Sequence, residues 1–212
     1  MAFVTFVATD GARVSVCKRV RLAAVSDEAV RKLEREGDVL ARLEGHGAPK
    51  LLARSADEYG AFVSMELVRG RRARSWSDAR LAFEALAAVH ARGVVHGDVS
   101  PANVIVGEDR AWLVDFGGGY TIAFAAPERA RGEPFDERAD VFSMAATIVS
   151  CATSKPPRDF GELPQAAQLA IAGENPLDAS FIALAPPSLR DCLAFDPNMR
   201  PRDAAAVLTR LV

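Results

Sequence analysis

Two spacings of apolar residues divide the chain. In the first third they alternate with polar ones. Residues 3–8 and 12–18 read as two short strands joined by a turn at Thr9-Asp10-Gly11, with Val14 and Val16 alternating with Ser15 and Cys17 ahead of Lys18. Residues 26–43 break this pattern. Val30, Leu33, Val39, Leu40 and Leu43 recur at near-helical spacing behind Ser26, a good N-cap residue, and Asp27 and Glu28 favour the first turn. Gly45 to Pro49 end that helix, and LLARSADEYGAFVSMEL predicts a hairpin turning near Asp57 to Gly60.

Beyond Val68-Arg69-Gly70 the helical spacing dominates. A helix is expected from Ser77 to about Arg92, ending at Gly93. VVHGDVSPANVIV and AWLVDFGGG read as strand and loop. After Pro127 the pattern is helical to the end, broken by prolines at 156–157, 186–187 and 197–201. Strands first and helices second predict an α+β chain with a small sheet-rich lobe, residues 1–68, and a larger helical lobe, residues 69–212.

Composition narrows the class. The 212 residues are half apolar and one quarter charged, with a formal net charge of −2. That is ordinary globular composition, with no basic field to favour nucleic acid. No run of about 18 apolar residues predicts a membrane span, and the first residues lack the marks of a signal peptide. Cys17, Cys151 and Cys192 are an odd, widely spaced set, unlike a disulfide framework or zinc site. These features predict a soluble, cytoplasmic protein.

The candidate chemistry is concentrated in two loops. HGDVSPAN, residues 96–103, holds Asp98 and, five residues on, Asn103; Asp115 opens Asp-Phe-Gly twelve residues after that. One acid that can take a proton, with two oxygen ligands for a hard cation, suits phosphoryl transfer to a hydroxyl. As turn formers, Asp and Asn would also be at home there; the combined spacing is what favours chemistry.

This pair of motifs resembles the catalytic and metal-binding loops of the protein kinase family, and the resemblance extends along nearly the whole chain. Lys18 ends a strand pattern, as the family's phosphate-binding lysine does. Glu36 has the register of the glutamate that pairs with it, while Glu34 points about 200° around the helix. Met65-Glu66-Leu67-Val68 resembles the hinge that hydrogen-bonds adenine, and Val16 stands where the family has alanine over the ring. Ala126-Pro127-Glu128 matches the family's Ala-Pro-Glu, Asp140 resembles the aspartate that braces the catalytic loop, and Arg200 the arginine that pairs with Glu128. His96 would pack beside Phe116, and His90 and His46 read as structural.

What the resemblance implies is ATP with Mg²⁺ or Mn²⁺ as cofactors and Ser or Thr of a protein as acceptor. Asp98 would orient the hydroxyl. Asn103 and Asp115 would hold the metal, and Lys18, Glu36, Val16, Glu66 and Val68 would hold the nucleotide. Several positions depart from the family. The glycine-rich loop over the phosphates is not present whole; Ala2 to Phe6 take its last part, which predicts weaker nucleotide binding or a different lid. Gly97 replaces an arginine that reads a phosphate on the activation segment, and Ser100 replaces a lysine. The segment from Gly118 to Ala125 is short, which predicts no regulation by phosphate there. Arg69, Arg71, Arg72 and Arg74 read as a solvated loop. Two alternatives stay open: a pseudokinase acting as a binding module, and a small-molecule phosphotransferase of the aminoglycoside type.

Overall fold

The computed structural model describes residues 3–11, 13–20, 26–57 and 60–211. The expected hairpin turn partly falls outside them, as does Ala2. The strands Phe3–Thr9 (β1), Val14–Val20 (β2), Leu51–Asp57 (β3) and Gly60–Glu66 (β4) form one antiparallel sheet in the order β1-β2-β4-β3. Residues 3–6, equated above with the end of a loop, are therefore strand. Lys18 lies inside β2, two residues short of its end, and its register partners are Thr5 and Val63.

The helix Asp27–Leu43 (α1) packs on this sheet. The Ser26 side chain caps it by accepting from the Ala29 N–H, and Glu44 ends it in a left-handed conformation. Its buried face runs Ala29, Leu33, Glu36, Gly37, Leu40 and Leu43. Helical periodicity thus buries Glu36 in the middle of an apolar stripe and leaves Glu34 exposed.

A two-residue strand, Arg71–Arg72 (β5), pairs with Val104–Val106 (β6), which pairs with Ala111–Leu113 (β7). Between the hinge and the helix Ala79–Ala91 (α2) stands a single 3-10 turn, Trp76–Asp78. The basic run is not simply a solvated loop. Asp78 is buried, and its carboxylate takes a bidentate pair from Arg71 (2.8 Å to each oxygen) and the backbone N–H groups of Arg74 and Ser75.

The remaining helices are Pro127–Ala130 (α3), Glu137–Thr153 (α4), Gln165–Glu174 (α5), Ala179–Leu184 (α6), Pro187–Arg190 (α7) and Ala204–Leu208 (α8). α4 is buried continuously from Ala139 to Val149 and forms the axis of the helical lobe. Two charged anchors tie the loops to it. Arg200 and Glu128 form a buried bidentate pair at 2.6 and 3.0 Å. Asp140 accepts from the N–H groups of His96 (2.7 Å) and Gly97 (2.8 Å). His90 Nδ1 accepts from the Ala204 N–H, so its Nε2 carries the proton and donates to Asp140. No helix among the described residues is long and apolar enough to cross a membrane.

Candidate active site

A cleft of about 270 Å³ lies between the sheet and the helical lobe. Val16 and Lys18 from β2, Thr5 from β1 and Glu36 from α1 face it on one side. Pro49, the hinge residues Met65 to Val68, Ile105, Val114 and Asp115 complete the lining. One end is apolar, lined by Val16, Met65, Leu67, Ile105 and Val114. Among the described residues neither the N–H nor the C=O of Val68 makes a backbone hydrogen bond, so both are open to a ligand edge.

The polar end centres on Lys18. Its Nζ lies 2.8 Å from Glu36 Oε2 and 2.6 Å from Asp115 Oδ1, and 5.2 Å from the centroid of the Phe3 ring. Burial alone would lower the ammonium's pKa, but the two carboxylates outweigh it and hold the group above the ordinary lysine value. Glu36 is 2% exposed, so the ion pair is fixed from within the lobe.

Asp115 takes a left-handed conformation, φ +66°, just beyond β7. Its side chain is half exposed and accessible to a ligand. A Cβ on Gly117 would sit 3.2 Å from Asp115 Oδ1 and 3.7 Å from Lys18 Nζ, so any side chain there would crowd the Asp115 carboxylate. Phe116 packs inward on His96, ring centroids 4.5 Å apart, and His96 Nε2 bonds the Val114 carbonyl.

Asp98 lies outside this lining but close enough to Asp115 for the two carboxylates to repel. The Thr121 N–H (2.8 Å) and hydroxyl (3.0 Å) both donate to its Oδ1. Burial pushes the carboxyl's pKa up, and the Thr121 hydrogen bonds only partly oppose this. Asn103 donates from Nδ2 to the Asp98 carbonyl (2.9 Å), which leaves its side-chain oxygen without a donor among the described residues. The Asp115 carboxylate and the Asn103 amide oxygen are the hard donors a small divalent cation takes, alongside water and phosphate oxygens. Among the described residues no cluster of three or more His, Cys, Asp or Glu forms an all-protein metal cage. The donor set therefore fits a cation that arrives with a phosphate ligand.

Gly97 has φ +75°, and a Cβ there would meet the Phe135 ring at 3.4 Å. The Arg129 guanidinium lies over the rings of Tyr120 and Phe135, 4.5 and 4.7 Å from their centroids. Ser100 is buried and its hydroxyl has no partner among the described residues, so it does not stand in for a phosphate-binding lysine. Thr5, Phe3 and Ile105 were not singled out from sequence. For Thr5 and Phe3 the signal was available: they share the period-2 face of β1 that pairs across to Lys18 and Val20. Ile105 carries no such signal.

No protein-family model matches the chain. Among curated proteins, it is 33% identical over 171 residues to the serine/threonine-protein kinase PknD of Mycobacterium tuberculosis, covering 62% of this chain and 24% of that protein. It is 31% identical over 156 residues to the serine/threonine-protein kinase PknI of Mycobacterium bovis, covering 64% of this chain and 27% of the relative. The chain thus spans about a quarter of the length of these relatives. Among solved structures, the crystal structure of the Mycobacterium tuberculosis PknI kinase domain superposes with a TM-score of 0.70 at 24% identity, covering 98% of this chain and 88% of that one. With its sheet-rich and helical parts around one cleft, the chain has the fold of a protein kinase domain, and its sequence is similar to these serine/threonine-protein kinases.

Proposed function

We propose that this chain is a serine/threonine protein kinase that uses ATP and Mg²⁺ or Mn²⁺ and transfers the γ-phosphate to a protein hydroxyl. Residues 1–68 act as the nucleotide lobe and residues 69–212 as the catalytic and acceptor lobe. The observation that carries this reading is the assembled polar set. Lys18 is already paired with buried Glu36 and with Asp115, while Asn103 is hydrogen-bonded to the Asp98 carbonyl and the Asp98 carboxylate lies close enough to Asp115 for the two charges to repel. A module that only binds a partner has no need of that set.

In the proposed reaction adenine occupies the apolar end of the cleft under Val16 and bonds the hinge at Glu66 and Val68. Lys18 holds the α- and β-phosphates. Asp115 and Asn103 hold the divalent cation, which when bound neutralises charge on the β- and γ-phosphates. The acceptor oxygen attacks the γ-phosphorus as the bond to the bridging oxygen breaks. The hydroxyl proton passes to Asp98 and ADP leaves. A carboxyl pushed up by burial is a better proton acceptor than an ordinary aspartate. The three cysteines are free, which suits a reducing cytoplasm.

Transfer from labelled ATP, in lysate and to a panel of aminoglycosides, sugars and choline-like alcohols, tests the reading. Label on Ser or Thr of a protein supports it; label confined to small molecules moves the function to a small-molecule phosphotransferase. With no glycine in residues 3–9, nucleotide affinity should be weaker than is usual for the family and should rise with Mg²⁺ in calorimetry. Absence of binding at millimolar nucleotide would make the chain a pseudokinase.

A further inference from the structure

Arg158 lies five residues beyond the end of α4 and turns its guanidinium inward, where among the described residues it meets no carboxylate. Nη1 donates to the carbonyls of Ala123 (3.1 Å) and Ala125 (2.9 Å), and Nη2 to the carbonyl of Ala172 (3.3 Å). Burial first, and the charge of Arg200 second, push its pKa down to about 10, so it stays charged at neutral pH. Its carbon centre is 5.6 Å from the Phe142 ring centroid.

The end of α5 replaces the missing counter-ion. The last carbonyls of a helix have no partner within it and carry its negative pole. Here Ile171 O is taken by the Asn175 N–H, Ala172 O by Arg158 and Gly173 O by Arg131 Nη1 (2.6 Å). On its other side Arg158 grips residues 123 and 125 of the strip that begins at Thr121, the partner of Asp98. The strip is thus fixed at both ends, by Asp98 at Thr121 and by Arg158 at Ala125. Between them lies only the 3-10 turn Ile122–Phe124.

We propose that Arg158 is a positioning residue for the acceptor protein: it locks residues 121–125 to the C-terminal end of α5, so that the strip beside Asp98 and α5 meet the acceptor as one preformed surface. This rests on the reading of the chain as a protein kinase. The lock uses carbonyl acceptors that are always present. It therefore does permanently what a phosphate gripped by arginines does on demand.

The test compares wild type with Arg158→Met and Arg158→Lys. Methionine keeps much of the length without a donor; lysine keeps the charge but not the planar fork that spans three carbonyls. Three quantities are read: amide hydrogen exchange across 121–125, Mg–ATP affinity by calorimetry, and KM and kcat for the protein labelled in the lysate experiment. For Arg158→Met the exchange should be faster by at least about 10-fold. KM for the acceptor protein should rise by about 10-fold or more, while ATP affinity and kcat stay within about 3-fold. Arg158→Lys should fall between and, as the milder change, keeps the test open if the methionine variant does not fold. Unchanged exchange and KM would overturn the proposal, as would equal losses of ATP affinity and acceptor KM, which mark general damage. If wild type labels no protein, it is the kinase reading that fails. Exchange then judges the lock alone: unchanged exchange removes it, and faster exchange with intact ATP affinity keeps it.

Discussion

Thr121 gives two hydrogen bonds to one oxygen of Asp98, from its N–H at 2.8 Å and its hydroxyl at 3.0 Å. Both favour the ionised carboxylate, whereas burial favours the protonated form and prevails. If Asp98 is the base proposed above, it cannot take the acceptor's proton once protonated, and it should set the acidic limb of kcat/KM. Thr121→Val removes the hydroxyl bond and should move that limb to higher pH. Thr121→Ser should leave it near wild type. A pH profile with the same acidic limb in all three proteins would remove Asp98 as the base.

Lys18 and Asp98 should fail in different ways. Asp98→Asn removes the proton acceptor but not the nucleotide slot, so kcat should fall by at least about 100-fold with little change in ATP affinity. Lys18→Met leaves Glu36 buried without its cation and the phosphates without theirs. Both ATP affinity and kcat should suffer. Single-turnover transfer combined with calorimetry separates the two; equal activity of wild type and Asp98→Asn would refute the assignment.

Much of this arrangement was legible in the sequence because its determinants are local. Strand alternation, the Ser26 cap and the order of the loops follow from near neighbours, and the α+β division follows from them. Glu36 could be told from Glu34 because helical periodicity puts one under the sheet and the other in solvent. What was not legible depends on residues far apart in sequence. Arg71 read as one of four solvated arginines until the fold placed it against Asp78. Arg158 lies 33 residues from the Ala125 carbonyl it binds, and backbone carbonyls leave no mark in a sequence. Residues 3–6 read as the end of a loop because the family analogy was applied over a strand pattern that was correct.

The Arg200–Glu128 pair should dominate the stability of the helical lobe. Arg200 also donates to the carbonyls of Ala194, Arg138 and Phe195, so one side chain grips three segments, at Glu128, Arg138 and 194–195. Arg200→Ala strands a buried carboxylate and should cost about 3–5 kcal/mol. For a chain of this size that lowers Tm by roughly 6–20 °C. The double variant Arg200→Ala/Glu128→Ala should cost less than the two single losses added, because neither charge is left alone. Additive losses in thermal unfolding would mean that the two side chains act independently.

The Arg71–Asp78 pair holds the link between the hinge and α2. The Arg71 guanidinium and the N–H groups of Arg74 and Ser75 hold the Asp78 carboxyl well below the usual range, down to about 2. An acid whose folded pKa is depressed gives stability that is fully present above its unfolded value, here 3.8, and is lost as pH falls through the folded one. Arg71 is partly exposed, so solvent screening reduces the gain to about 1–2 kcal/mol. Asp78→Asn should therefore destabilise by about that amount at pH 7, and the gap from wild type should stay constant down to about pH 5. As pH falls from there towards 2 the gap should close, because wild-type Asp78 is then protonated too. Denaturant unfolding at a series of pH values measures this directly. A gap that persists unchanged at pH 2 would show that the loss comes from packing of the 3-10 turn and not from the charge. Because Val68 lies only three residues before β5, the same variant should also weaken ATP binding modestly, with kcat unaffected.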